Sequence, residues 1–208
     1  KIGIVDIEFS PENPDIIYAA SWEVERKPWT ILSGSKDGGI YKSINAGKSW
    51  VKLSKGLPNG NIGKIDLAVT PADPQRLYAL IEADQGKGGA YVSYNKGSQF
   101  NAMSHRKELV NRPFYYCNIY ANPNNAAIIY SNANKFMISN DAGKSWKVKK
   151  TPHSDNHDIW INPKNDNIWI QSNDGGVNIT FNSGETWTTQ FNQPTAEIYQ
   201  VEVDQQYP

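Results

Sequence analysis

Cysteine is nearly absent from this sequence: one thiol, Cys117, stands among 208 residues. A disulfide framework within the chain is therefore excluded, and a lone thiol in an apolar strand reads as a small buried side chain. No run of about 18 apolar residues occurs, so there is no transmembrane segment of the helical kind. Charge of one sign is not in excess either. Twenty-one Lys and Arg balance twenty-one Asp and Glu, which leaves no electrostatic footprint for nucleic acid or an anionic membrane. A sustained helical period is missing too; Lys107-Glu108-Leu109-Val110 suffices for one turn and no more. No signal-peptide pattern is visible, and the chain opens straight into a strand, as a processed or trimmed product would. What is plentiful is aromatic: seven Trp and eleven Tyr.

Four copies of one short turn punctuate the chain. They read Ser43-Ile-Asn45-Ala-Gly47-Lys-Ser-Trp50, Ser93-Tyr-Asn95-Lys-Gly97-Ser-Gln-Phe100, Ser139-Asn-Asp141-Ala-Gly143-Lys-Ser-Trp146 and Thr180-Phe-Asn182-Ser-Gly184-Glu-Thr-Trp187. The starts at 43, 93, 139 and 180 are 50, 46 and 41 residues apart. A period of roughly 40–50 residues in a strand-rich chain points to a solenoid or a propeller. In each copy the Asp or Asn accepts hydrogen bonds from backbone N–H groups one to three residues on, and the Gly supplies positive φ. Three of the four acids are in fact Asn, which cannot do acid–base work. Asn45, Asn95, Asp141 and Asn182, with Trp50, Trp146 and Trp187, are therefore hairpin staples.

A second landmark precedes each hairpin. Short apolar runs flank the turns Ser10-Pro11-Glu-Asn-Pro14, Thr70-Pro71-Ala-Asp-Pro74, Ala121-Asn122-Pro123-Asn-Asn125 and Asn162-Pro163-Lys-Asn-Asp166. One repeat is then strand A, Pro-turn, strand B, variable loop, strand C, box turn, strand D. Four antiparallel strands per unit make a propeller blade. The predicted fold is all-β: a β-propeller of four-stranded antiparallel blades. Four blades occupy about 1–56, 61–104, 113–150 and 155–191, and 197–208 reads as the first strand of a further one. An open ring leaves strand edges unpaired. The chain thus reads as part of a larger propeller, whose remaining blades come from the same protein or a companion chain.

Strand parity locates a binding face. Pro-turns and box turns fall on one side of the propeller and are short and uniform. B–C loops and D-to-A connections fall on the other and vary, which suits binding. Trp22 and Trp29, in the long first B–C loop, have the shape to stack on a sugar ring. Arg106, Arg112 and Tyr115 lie in the connection before the third unit. His153-Ser-Asp155-Asn-His157-Asp158 leads into the fourth. In extended chain His153, Asp155 and His157 point to one side. That set suits a divalent metal, the one cofactor the sequence suggests, or an acid/base pair; Asp174 lies in the B–C loop of the same unit. Hydrolysis of a glycoside needs two carboxylates about 5–10 Å apart, and the candidates are Asp155, Asp158, Asp174 and Glu25.

The turns resemble those of Asp-box (BNR-repeat) propellers, the architecture of sialidases, xyloglucan-active glycoside hydrolases and the Vps10/sortilin propeller. The chain is most similar to large secreted bacterial sortilin-like proteins, also called glycosyl hydrolase BNR-repeat proteins. That likeness rests on Gly39-Ile-Tyr-Lys-Ser43, Gly63-Lys-Ile-Asp-Leu-Ala-Val-Thr-Pro71, Asp155-Asn-His157-Asp-Ile-Trp160-Ile-Asn-Pro163, Asn173-Asp174-Gly-Gly-Val177 and Tyr199-Gln-Val-Glu-Val-Asp204. It implies a secreted or cell-surface protein that binds or acts on carbohydrate. The alternatives it implies are a non-catalytic propeller that binds peptide or protein, and a structural module of a surface protein. An arginine triad and a Tyr–Glu nucleophile pair of the sialidase kind are not found in the sequence.

Overall fold

Each repeat folds as its own antiparallel sheet, with strands in chain order. The structure is a computed structural model that describes residues 2–191, 193–194 and 196–204. Blade 1 contains β1 (Ile2–Phe9), β2 (Ile17–Lys27), β3 (Thr30–Ser33), β4 (Gly39–Ser43) and β5 (Val51–Leu53). Blade 2 contains β6 (Ile62–Val69), β7 (Leu77–Ala83), β8 (Gly89–Ser93) and β9 (Phe100–Ser104). Blade 3 contains β10 (Asn118–Ala121), β11 (Ile129–Asn132), β12 (Phe136–Ser139) and β13 (Lys147–Lys149). Blade 4 contains β14 (Asn156–Ile161), β15 (Trp169–Asn173) and β16 (Gly176–Thr180). Its fourth position is marked by the Thr188 N–H, which donates to the Ile179 carbonyl at 2.8 Å. Among the described residues no helix is long and apolar enough to cross a membrane. The one helical turn among the described residues is a 3-10 turn over Lys107–Val110.

The box turns show why the motif repeats. In every copy the leading hydroxyl accepts the glycine N–H: Ser43 from Gly47 at 2.9 Å, Ser93 from Gly97 at 2.9 Å, Ser139 from Gly143 at 2.8 Å, Thr180 from Gly184 at 2.8 Å. The Asp or Asn oxygen accepts an N–H four residues on, as at Asn45–Ser49 and Asp141–Ser145. That reach is longer than the one to three residues expected, because two consecutive left-handed residues tighten the loop. Ala142 (φ 60) and Gly143 (φ 93) are one such pair, and Ala46 (φ 53) with Gly47 (φ 80) another. Asp141 differs from its three Asn counterparts in charge. The Ser145 hydroxyl and N–H hold its carboxyl at about 2. A lowered carboxyl adds stability that is present above its unfolded value near 3.8 and lost as pH falls toward 2. Asp141→Asn should therefore lower the melting temperature slightly at pH 7, with the difference closing between pH 4 and pH 2.

Buried side chains gather between successive blades. Tyr18, Ile40, Leu67, Leu77 and Phe100 fill the space between blades 1 and 2. Tyr78, Val92, Leu109, Ile119, Met137 and Trp146 fill that between blades 2 and 3. Tyr130, Phe136, Ile159 and Trp169 fill that between blades 3 and 4. The Tyr78 hydroxyl crosses to the Ala126 carbonyl at 2.6 Å. The first strand of each blade faces a shared axial cavity of about 530 Å³. There a ladder of carboxylates on the first strands of blades 1, 2 and 4 ties each of these to the next chain segment. Asp6 accepts the Leu67 N–H at 2.7 Å, Asp66 that of Ile119 at 2.7 Å, and Asp158 that of Val201 at 3.0 Å.

Two expectations change. The first B–C segment is not a loop: β2 runs on to Lys27 and returns as β3, which pairs with it from Val24–Ser33 to Lys27–Thr30. It is a two-stranded arm with Trp29 at its exposed turn. The segment from 197 to 204 does not form a β-strand, although Val201 occupies the place in the ladder that Leu67 and Ile119 hold. The remainder of that stretch, 205–208, lies outside the described residues.

Candidate functional site

Six rings follow one another on the face where the variable loops gather. Trp22 meets Phe114 edge-on at 5.8 Å, Phe114 meets Tyr115 at 5.4 Å, and Tyr115 meets Tyr116 at 6.5 Å. Tyr116 then stacks on His157 at 5.9 Å, and His157 on Tyr199 at 4.0 Å. The row begins on β2, crosses the connection between blades 2 and 3, meets β14 at His157 and ends at Tyr199, past β16. Two guanidiniums cover its middle. Arg26 lies 5.3 Å from the Phe114 ring and Arg112 lies 4.8 Å from that of Tyr115, within cation–π range. Tyr115, His157 and Tyr199 also line the axial cavity. The backbone is strained at this place: Arg112 (φ 57), Cys117 (φ 94) and Asp155 (φ 54) are all left-handed without being glycine. Such outliers cluster where function over-determines geometry.

Asp155 anchors the row. Its carboxylate accepts the Tyr116 hydroxyl, the Asn134 amide at 3.2 Å and the Ser154 hydroxyl at 3.2 Å, and Arg112 stands 3.6 Å away. Burial opposes its ionisation, but the bonds from Tyr116, Asn134 and Ser154 outweigh that and hold the carboxyl below its ordinary value. The Tyr116 phenol is pushed up to about 12, by burial first and by Asp155 second. His157 is almost fully buried, 3% exposed. Its Nδ1 lies 2.8 Å from the Ile198 carbonyl and its Nε2 lies 3.0 Å from Asp174 Oδ1. Burial raises the Asp174 carboxyl, His157 opposes the rise, and the Glu197 and Asp155 charges add to it.

Of the other sequence candidates, Trp22 joins the row as its first ring and the rest scatter. Trp22 donates its indole N–H to Ser33 at 3.0 Å, so it is fixed in the arm. Trp29 is 79% exposed and away from the row's ring contacts. Glu25 pairs with Lys27 at 3.0 Å on the arm. Arg106 holds the Trp146 carbonyl and Glu108, which makes it a brace of the connection. Asp158 is committed to the Ile159 and Val201 N–H groups inside the channel.

His153, Asp155 and His157 do not converge. The left-handed turn at Asp155 breaks the alternation that would align them, and β14 starts only at Asn156. His153 Nδ1 instead contacts the Ser154 carbonyl at 2.9 Å. Among the described residues the metal-competent group is His157, Asp174 and Glu197.

Several residues here are not singled out by the sequence reading: Phe114, Tyr116, Glu197, Tyr199 and the channel acids Asp6, Glu8 and Asp66. The repeat carries a signal for the channel acids. Asp6, Asp66, Asn118, Asp158 and Gln200 precede Ile7, Leu67, Ile119, Ile159 and Val201 at the same step of each unit.

No family model matches the chain, and no curated protein does. Solved structures do. The chain superposes on an ancestral GH74 enzyme with a TM-score of 0.59 at 18% identity, over 88% of this chain and 23% of that one. It superposes on the GH74 xyloglucanase from Xanthomonas campestris with a TM-score of 0.59 at 15% identity, over 94% and 32%. YCF48 from Cyanidioschyzon merolae gives 0.57 at 11% identity, over 90% and 55%. Likeness at these identities is of fold alone. The chain spans about a quarter to a third of the two GH74 proteins and about half of YCF48. The class defined by fold and site is a β-propeller with an acidic axial channel and an aromatic row across its loop face.

Proposed function

We propose that this propeller binds carbohydrate along the aromatic row, in a secreted or cell-surface setting. The observation that carries the reading is the unbroken run from Trp22 to Tyr199, flanked by Arg26, Arg112 and Asp174. Sugar rings present C–H faces that pack on aromatic rings, and hydroxyls that bond to charged groups beside them. Tyr115 at 37% and Tyr199 at 49% exposure are the accessible rings. An apolar channel mouth would favour the peptide-binding alternative; here the channel is lined by Asp6, Glu8, Asp66, Asp158 and Glu202. We assign binding rather than hydrolysis. Asp155 and Asp158 are each occupied by several donors, and Asp174 faces an imidazole. The fold shared with a xyloglucanase makes xyloglucan and cello-oligosaccharides the first probes.

Titration calorimetry should show xyloglucan or cello-oligosaccharide binding that Tyr115→Ala and Tyr199→Ala each weaken about tenfold, the loss of one aromatic contact worth about 1–1.5 kcal/mol. Binding to neither glucan, or binding that both variants leave intact, would refute the reading. Capture of peptides instead, lost in the same variants, would move it to the sortilin-like alternative.

A further inference from the structure

We infer that His157, Asp174 and Glu197 form a divalent transition-metal site, with Zn²⁺ the best-suited ion, at the end of the aromatic row. The Ile198 carbonyl sets the tautomer of His157. A carbonyl can only accept, so His157 Nδ1, 2.8 Å from the Ile198 carbonyl, carries a hydrogen and donates it. In the neutral ring Nε2 is then a bare lone pair. That lone pair faces Asp174 Oδ1 at 3.0 Å, acceptor against acceptor. Something positive belongs between them, either a proton or a metal ion. A second carboxylate decides for the metal: one ligand atom each from His157, Asp174 and Glu197 falls within 4.8 Å of the others. A single proton bonds one acceptor pair; three converging donors with two negative charges match a divalent ion.

The geometry fits. Ligands about 2.1 Å from a tetrahedral ion stand about 3.4 Å apart, close to the His157–Asp174 separation, and Glu197 brings a ligand atom within 4.8 Å of both. Donation of the second imidazole N–H to a backbone carbonyl is the usual way a metal-binding histidine is oriented. The ring is held further by Tyr199 stacked at 4.0 Å and Tyr116 at 5.9 Å. An imidazole with two carboxylates selects Zn²⁺ or a neighbouring transition ion over Ca²⁺ or Mg²⁺. Three protein ligands leave a position for water, and the two exposed carboxylates keep it open to solvent. The site stands whether or not the row binds sugar, because it requires only these three side chains.

The test is calorimetric titration of the chelator-stripped chain with Zn²⁺ alone. Saturable binding of one ion per chain is expected, weakened about tenfold or more by Asp174→Asn and again by Glu197→Gln. Both side chains are exposed and the replacements are near-isosteric, so melting without metal should be unchanged; a Zn²⁺-dependent rise in melting temperature should disappear in both variants. His153→Ala should bind as the parent does. Absence of saturable binding, binding that survives both carboxylate replacements, or binding lost with His153→Ala would overturn the assignment.

Discussion

Trp146→Ala should cost about 3–5 kcal/mol, while Trp50→Ala at the same place in the repeat should cost about 1 kcal/mol. Both indoles close a box turn, and both donate their N–H to the turn glycine: Trp50 to Gly47 and Trp146 to Gly143, each at 3.0 Å. The local chemistry is the same, so the difference must come from packing. Trp146 is 5% exposed and belongs to the buried cluster of blades 2 and 3, with Leu109, Tyr116, Ala142 and the neighbouring Met103. Its carbonyl also anchors Arg106 at 3.0 Å. Removing the indole leaves a cavity that this well-filled cluster cannot close. Trp50 is 41% exposed, and its chain neighbour Val51 is 68% exposed. Its loss removes one hydrogen bond and part of an apolar surface already in water. Urea unfolding would separate the two; for a chain of this size the larger loss corresponds to about 10 °C in melting temperature. Equal losses would show that the turn, not the core, sets the contribution of the box aromatic.

That contrast marks where sequence reading stops. The box turn is legible because it is local: hydroxyl, Asx and glycine meet within five residues, and their spacing alone dictates the bonds. The Pro-turns are legible for the same reason. Four such units at a steady period, each of four antiparallel strands, then point to an all-β propeller. What a box aromatic packs against is a property of the adjacent blade, some forty residues away, and Trp50 and Trp146 carry no mark that tells them apart.

The site is legible in part. Strand parity directs Trp22, Arg112, Tyr115, His157 and Asp174 to one face, and they do gather there. The metal trio keeps only His157: Asp155 takes φ 54, which a polar side chain tolerates and which a period-of-two argument cannot foresee, and His153 turns away with it. Asp174 and Glu197 stand beside His157 instead, and Glu197 comes from a segment forty residues on that has no regular structure. The arm of β2 and β3 was hidden by its composition. Glu23, Glu25, Arg26 and Lys27 fall in what the sequence reads as a long loop, yet they lie along a two-stranded ribbon.

The channel acids were the least legible, and they support the second large prediction. Glu8→Gln should stabilise the protein by about 2 kcal/mol at pH 8.5 and leave it nearly unchanged at pH 5. Burial raises the Glu8 carboxyl to about 8, and the Asp6 and Asp66 charges beside it add to the rise. Asp66 is itself raised, by burial and by Asp6; Asp158 and Glu202 line the same cavity, and Lys64 is the cation facing them. The folded chain therefore holds the Glu8 proton between about pH 4.5 and pH 8, where the unfolded chain has released it. Folding then loses stability as pH rises through that window, and the loss is complete above it. Undiluted, such a shift corresponds to about 5 kcal/mol. Glu8 is only partly buried, and solvent screening there brings the gain expected from a neutral amide to about 2 kcal/mol. The amide keeps the shape and removes the charge, so the effect must follow the titration. Melting curves of parent and variant should coincide near pH 5 and separate steadily toward pH 8.5, the variant melting higher. A separation of the same size at both pH values would mean that packing, not charge, distinguishes Glu from Gln in the channel.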